Sequence, residues 1–353
     1  MALAPPSQSK WPSSAVWARQ TAMHKRRGII AIGNLIVDQS LRCTEYPQES
    51  MLTQITHVDK SCGGGCTNVL FGLSRIDPSL PLALSGVIGR DTYGDFILQE
   101  TARHNVSTSR VHVSAQDVTS FTYVMVNSQN GNRTFFHHMG ANHRLGATDF
   151  SNLDSQARIA HVAYLLLLPA LEQEDRQWQT CGARALADLQ RQGFAVSLDL
   201  VSAPETERYQ RWVKPVLPYV DYLIINDQEA RRLCQRPGDD DYIAQARSLL
   251  QMGVRKLVCI HFPQGAVAID AEGKTYKADA YHVPSHEVVS TLGAGDAFCA
   301  GMLYGIHEEW PLADALRLGC ACAHFNLFSL SATEGARTLS ELHDFIQHEE
   351  SQI

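Results

Sequence analysis

The residues best suited to chemistry stand near the C-terminus, in the run Val288-Val289-Ser290-Thr291-Leu292-Gly293-Ala294-Gly295-Asp296-Ala297-Phe298. An apolar pair leads into Gly293, Ala294 and Gly295, and a helical pattern begins at once. Small residues at a helix start leave backbone N–H groups open to an anion, and the helix dipole adds to the attraction. A carboxylate gains nothing from that anion, but Asp296 is suited to taking a proton from an incoming hydroxyl. It reads equally as a plain helix-capping residue, and the local residues leave both readings open. Asp38 closes an apolar run, so it is either a turn residue or a ligand group at the C-terminal edge of a sheet, where α/β folds bind ligands. Glu229, taken alone, is a solvated helix residue.

Other chemistries lose their footing. A Gly-x4-Gly-Lys-Ser/Thr loop is absent, as is a Gly-x-Gly-x-x-Gly fingerprint after the first strand, which removes P-loop NTPases and dinucleotide oxidoreductases. The nine cysteines are odd in number and scattered. Cys62-x-x-x-Cys66 and Cys320-x-Cys322 lack a second correctly spaced pair, so core packing is expected there rather than zinc. Reduced thiols in a cytoplasmic protein fit this usage. Thirty Lys and Arg against 37 Asp and Glu give a formal charge of −7, with no basic excess for nucleic acid or an anionic membrane. The longest apolar run, 162–168, is too short to cross a bilayer.

These residues need a scaffold, and the chain supplies one from Gly28 onward. Short apolar runs at 29–37, 82–88, 162–168, 194–198, 222–225 and 256–260 read as buried, mostly parallel strands. Helical patterns lie at 67–75, 93–103, 172–191, 227–233, 240–252, 294–307, 312–327 and 339–347. Such alternation predicts an α/β layered fold. Two segments, about 41–59 and 119–138, alternate polar and apolar residues instead. Asn130-Gly131 between the halves of the second is a hairpin signal. Together they predict a small antiparallel β-lid inserted into the body. Residues 1–27 carry no apolar periodicity and read as a disordered extension. Met23 stands just before the folded part as an alternative start of translation.

The glycine run resembles the C-terminal signature of the ribokinase-like, or PfkB-type, carbohydrate kinases. Further motifs of that family follow in its order: Gly33-Asn34-Leu35-Ile36-Val37-Asp38, Gly63-Gly64-Gly65-Cys66-Thr67-Asn68, Gly86 through Gly94, Gly140-Ala141-Asn142 and Asn226-Asp227-Gln228-Glu229. The resemblance implies a three-layer α/β/α body with a β-lid. It implies Asp296 as general base, with Gly293, Ala294 and Gly295 as the anion hole for a transferred phosphoryl group. Asp38, Asn34, Gly63, Gly64, Asn68 and Asn142 would hold the sugar. Asn226 and Glu229 would serve Mg²⁺, its waters and the ATP phosphates, and Gly265 remains from the nucleotide loop.

The departures are also informative. Ser290 stands where relatives carry an Asp linked to a monovalent cation, so little K⁺ dependence is expected. Gly65 replaces the Lys of ribokinase and the phosphosugar kinases, and Pro169-Ala170 falls where ribokinase has a substrate-binding Glu. Ribose and sugar phosphates are therefore not the leading substrates. Arg133 either meets an acidic substrate or lies on a wet strand face, and the wet face is expected. His137, His138 and His143 alternate in direction and are not expected to form one site. His324, in an apolar helix, is expected in the core or a groove. The chain thus reads as an ATP-dependent kinase for a hydroxyl, preferably primary, of a small sugar-like compound. Homodimerisation through the lid, without nucleic acid or membrane as partner, is the matching expectation. A nucleoside kinase on the same fold, or a sugar-binding regulator that has lost catalysis, are the alternatives.

Overall fold

The computed structural model describes residues 26–129 and 131–351. The expected N-terminal extension falls, for residues 1–25, outside them. Arg26 and Arg27 already touch the body: the Arg26 guanidinium lies 4.4 Å from the Phe194 ring centroid, and the Arg27 N–H donates to the Gln156 carbonyl at 3.0 Å.

The described strands are β1 (Ile29–Gly33), β2 (Ile36–Cys43), β3 (Ile55–Gly63), β4 (Leu82–Gly89), β5 (Val106–Ser114), β6 (Ser120–Asn127), β7 (Arg133–His138), β8 (Ile159–Ala163), β9 (Ala195–Leu198), β10 (Tyr222–Asn226), β11 (Leu257–Phe262), β12 (Gly265–Asp270) and β13 (Thr275–Asp279). The longer helices are α1 (Gly65–Ile76), α2 (Thr92–Arg103), α3 (Cys181–Arg191), α4 (Asp227–Cys234), α5 (Tyr242–Gln251), α6 (Ala294–His307), α7 (Leu312–Asn326) and α8 (Leu339–Ser351). Nine strands form the main sheet in the order β13-β12-β11-β10-β9-β8-β1-β4-β5. All neighbours are parallel except β11–β12 and β12–β13, which close one edge as antiparallel ribbons. This is the mostly parallel α/β sheet that the strand and helix pattern predicts. Along β1 alternate residues feed opposite layers: Ile30 and Ile32 belong to the core layer that holds Leu186 and Leu249, and Ile29 and Ala31 to the one that holds Val69, Met302 and Leu342. A strand buried on both faces must be apolar throughout, which is why the runs were readable.

The lid is a four-stranded sheet in the order β3-β2-β6-β7, with β2 and β6 parallel and the outer pairs antiparallel. It begins earlier than its polar alternation suggests. The run 29–37 is two strands, since β1 stops at Gly33 and the chain leaves for the lid at Ile36. Two other expectations need correction. Instead of one strand over 162–168, β8 covers Ile159–Ala163, and Leu165–Leu167 turn into a 3-10 helix. The helix expected over 172–191 occupies only Cys181–Arg191. Ahead of it, the Asp175 carboxylate accepts the N–H groups of Gln177 and Trp178, both at 2.9 Å, which holds a turn. Thr180 then caps the helix by accepting from Ala183 N–H at 3.0 Å. Among the described residues no helix is long and apolar enough to cross a membrane.

Candidate active site

The loop before α6 is shaped by backbone demands. Gly293 caps the helix at φ +74, where a Cβ would lie 2.5 Å from that of Ala332, so a side chain is excluded by conformation and by space. The loop is braced from both sides: the Ser290 hydroxyl accepts Leu292 N–H at 2.9 Å, and the Asn326 amide donates to the Leu292 carbonyl at 2.7 Å. The first-turn N–H groups of a helix have no intrahelical acceptor, so Gly295 and Asp296 direct theirs out of the helix start.

Asp296 is only 6% exposed. Its Oδ1 accepts the Tyr164 hydroxyl at 2.6 Å, and its Oδ2 accepts the Asn68 amide at 2.9 Å. Burial pushes its pKa above the usual carboxylate range, while the two hydrogen bonds oppose that shift. Nearby, Asp38 projects from β2. Burial raises its pKa to about 6, against the Thr122 hydroxyl that donates to it, and the Asp296 charge adds to the rise. Asp38 lies directly over Gly63, whose Cβ would sit 2.0 Å from Asp38 Oδ2. Gly64 caps α1, and Asn68 follows one turn later. The structure thus brings together Asp38, Gly63, Asn68 and Asp296. It places Asn34 and Asn142 behind them, both fully buried. The Asn34 side chain accepts from Tyr164 N–H and donates to the Leu167 carbonyl at 2.8 Å. Asn142 holds both the N–H and the carbonyl of Leu35, at 3.1 and 3.3 Å. Their amides are engaged with backbone.

On the other side of the loop lies a cleft of about 720 Å³, lined among others by Asn226, His261, Phe262, Gly265, Gly295 and Phe298. Gly265 turns the hairpin between β11 and β12, where a Cβ would meet the Ala278 carbonyl at 2.2 Å. Phe262 stacks on Tyr242 with centroids 4.4 Å apart, giving the cleft an aromatic wall. His261 is neutral, burial having pushed its pKa down to about 4. Asn226 and Glu229 form a capping box at the start of α4: Asn226 Oδ1 accepts Glu229 N–H at 2.9 Å, and Glu229 Oε2 accepts Asn226 N–H at 3.1 Å. The Ser202 hydroxyl donates to Glu229 Oε1 at 3.0 Å. Burial lifts the Glu229 pKa to about 7, against those hydrogen bonds. Asn226 lines the cleft, while the Glu229 carboxylate lies buried behind it with Oε1 and Oε2 both engaged, so of the two Asn226 would face a bound ion or its waters and Glu229 would support it from within.

The remaining singled-out residues lie apart. His137 Nδ1 is 3.0 Å from the Thr122 hydroxyl, His138 stacks on Phe121, and His143 Nδ1 is 2.7 Å from the Gly140 carbonyl. His324 packs among Tyr281, Phe325, Phe328 and Phe345 and also lines the cleft. All nine cysteines are free thiols. Sequence reasoning missed Tyr164, Thr122, Ser202 and the buried Asp199, whose pKa is raised by burial and then by Glu229 and Asp296. Only Tyr164 carried a signal: a phenol in an apolar run must find a partner for its O–H when buried.

Comparison with known proteins supplies the context for this geometry. Residues 26–339 match the family model described as pfkB family carbohydrate kinase. A 5-dehydro-2-deoxygluconokinase of Geobacillus thermodenitrificans is 25% identical over 332 residues, covering 90% of this chain and 93% of its own. The ketohexokinase of Mus musculus is 24% identical over 303 residues, covering 85% and 95%. Arabidopsis thaliana ribokinase, solved with ribose and ATP, superposes with a TM-score of 0.75 at 18% identity, covering 91% and 99%.

Proposed function

The chain belongs to the pfkB family of carbohydrate kinases, and on that premise we propose that it transfers the terminal phosphoryl group of ATP to a hydroxyl of a small sugar-like acceptor, with Asp296 as the base. The observation that carries this reading is the two-sided loop at the start of α6. One side lines the large cleft through Gly295, and the other presents the buried Asp296 carboxylate beside Asn68 and Asp38. Asp296 takes the acceptor's hydroxyl proton, the freed oxygen attacks the terminal phosphorus, and the bond to the ADP oxygen breaks. The N–H groups of the Gly293–Asp296 turn stabilise the charge on the transferred group. Asp38 accepts hydrogen bonds from acceptor hydroxyls, and the absence of a side chain at Gly63 and Gly64 lets the backbone approach them. Asn34 and Asn142 act on the acceptor indirectly, by fixing the strands that carry Asp38. Mg²⁺, when bound with ATP, supplies charge neutralisation at the phosphates, and Asn226 and Glu229 are the residues that would hold it or its waters.

Two relatives are named for a dehydro-deoxygluconate and a ketohexose. Keto sugars and keto sugar acids therefore come first among acceptors. The test is ADP release with ATP and a panel of ketoses, keto sugar acids, ribose and nucleosides. Turnover confined to nucleosides would replace the sugar reading, and no turnover with any acceptor would overturn the kinase assignment. The free cysteines fit a reducing, cytoplasmic setting. The lid leaves Phe135 and Phe136 55% and 60% exposed, which favours a homodimer through this layer. A monomer in sedimentation velocity would refute that arrangement.

A further inference from the structure

The third glycine of the Gly63-Gly64-Gly65 run has no role in the reading above, and neither does the phenol facing Asp296. The two belong together. Strand β8 ends at Ala163, and the next residue, Tyr164, lays its ring against the start of α1. A Cβ on Gly65 would fall 2.7 Å from Tyr164 Cε1, 2.8 Å from Ala163 Cβ and 2.9 Å from Tyr164 Cζ, so a side chain there would press on the ring and on the end of β8 that carries it. The backbone under the ring is fixed, since Tyr164 N–H donates to Asn34 Oδ1 and Asn34 is itself tied to Leu167. The phenol therefore arrives at Asp296 Oδ1, 2.6 Å away, from a rigid base.

We infer that Tyr164, seated in the space left by Gly65, is the positioning residue of the base, fixing the Asp296 carboxylate in one orientation and holding it ionised by donating the phenolic hydrogen bond. This rests on Asp296 being the base. The surroundings show why such a donor is needed. Asp38 on the lid strand β2 and Asp199 after β9 both feel the Asp296 charge. The thiols of Cys66 on α1 and Cys299 on α6 face it too, both pushed up by burial and neutral. Among the described residues Asp296 makes no ion pair, and its side-chain partners are Asn68 and Tyr164. Burial favours a protonated Asp296, and the two donors work the other way.

The experiment is the pH profile of kcat/KM for Tyr164→Phe and Gly65→Ala, with ATP and whichever of D-fructose, 5-dehydro-2-deoxygluconate or D-ribose turns over fastest. Losing a hydrogen bond to a charged group should move the acid limb of Tyr164→Phe upward by about one to two pH units. Activity should then recover toward the unmodified level at alkaline pH, which loss of structure would not produce. Gly65→Ala should give the same upward shift by pushing the ring aside, and it carries the test alone if Tyr164→Phe does not fold. An unmoved acid limb, or an equal loss at every pH, would overturn the inference. Asp296→Asn separates the two levels: if it retains turnover, the base assignment fails, whereas an inactive Asp296→Asn beside an unshifted Tyr164→Phe refutes the role of the tyrosine alone.

Discussion

Asp296→Asn removes the proton acceptor while nearly preserving shape, and its cost can be worked from the partners. In the present structure Asn68 Nδ2 donates to Asp296 Oδ2, while Asn68 Oδ1 is buried without a partner. An amide at position 296 would set two NH₂ groups against each other, but rotating the Asn68 amide by half a turn presents its idle oxygen to the new donor. Tyr164 can go on donating to the oxygen that remains. The Asn68 NH₂ then takes the place in which Oδ1 had no partner, so the number of unpaired Asn68 groups is unchanged, and a charge that burial disfavours has been removed. The fold should therefore hold, with the melting temperature within about 4 °C of the unmodified protein, the shift expected for roughly 1 kcal/mol in a domain of this size. Catalysis should not hold, because the amide has no basic lone pair for the acceptor's proton. The expected loss is about 10²–10⁴-fold in kcat, or roughly 3–5 kcal/mol of transition-state stabilisation, with little change in KM. Steady-state ADP release, with calorimetry on the same sample, measures both. A folded variant keeping more than about a tenth of the turnover would refute the base assignment. An unfolded one would refute the account of the Asn68 amide.

Gly63→Ala places a Cβ 2.0 Å from Asp38 Oδ2 and should push that carboxylate out of the pocket, raising KM for the acceptor about tenfold or more with a smaller effect on kcat; an unchanged KM would remove Asp38 from acceptor binding. Glu229 binds its proton more tightly in the folded state, where its pKa is about 7 against an ordinary 4.5, so its contribution to stability falls as pH rises between those values. Glu229→Gln lacks that loss, and its melting temperature minus that of the unmodified protein should climb across this window; a flat difference would contradict the burial argument. Ser290 braces the loop through Leu292 N–H without a carboxylate for a cation, so we expect turnover to differ little between K⁺ and Na⁺ at equal ionic strength, and Ser290→Asp to make it more sensitive. Tenfold stimulation of the unmodified enzyme by K⁺ would refute this.

The body was legible in the sequence because strands buried on both faces are nearly continuous apolar runs, as in β1, β10 and the first four residues of β11. Boundaries were lost where a side chain rather than periodicity ends an element. His161 interrupts the run of β8 and bonds Ser197 at 3.1 Å inside the sheet, so the apolar stretch appeared to begin too late and continue too far. The antiparallel edge and β5 went unread: β12 carries the short apolar run Ala266–Ile269, whereas β13 and β5 are mixed in polarity. At the site, residues identifiable from local motifs (Asp296, Gly63, Asn226) were accessible to reasoning. Tyr164 was not, because its significance comes from meeting Asp296 across 132 positions of chain.

The motifs also have a structural meaning that spacing alone does not reveal. Four of them mark where the lid joins the body. Asn34 and Leu35 lie between β1 and β2, with Leu35 clasped by Asn142 just beyond β7. Asp91 caps α2 and at the same time accepts both the N–H and the hydroxyl of Thr119, each at 2.7 Å, one residue before β6. The lid's fourth junction is Gly64, which ends β3 against α1. Each junction is thus fastened by hydrogen bonds to the backbone or by close backbone approach. Ile36 and Val37 at the root are buried, whereas the distal half of β3 is exposed along most of its length. A sheet held this way cannot swing from its base; it can only bend beyond it. Asp38 lies three residues beyond the clasped Leu35, and Gly63 directly precedes the junction at Gly64, so both belong to the fastened end of the sheet. On the proposed reading, in which Asp38 and Gly63 meet the acceptor, that site is preorganised at the root of the lid, and bending of the outer strands would be left with excluding water.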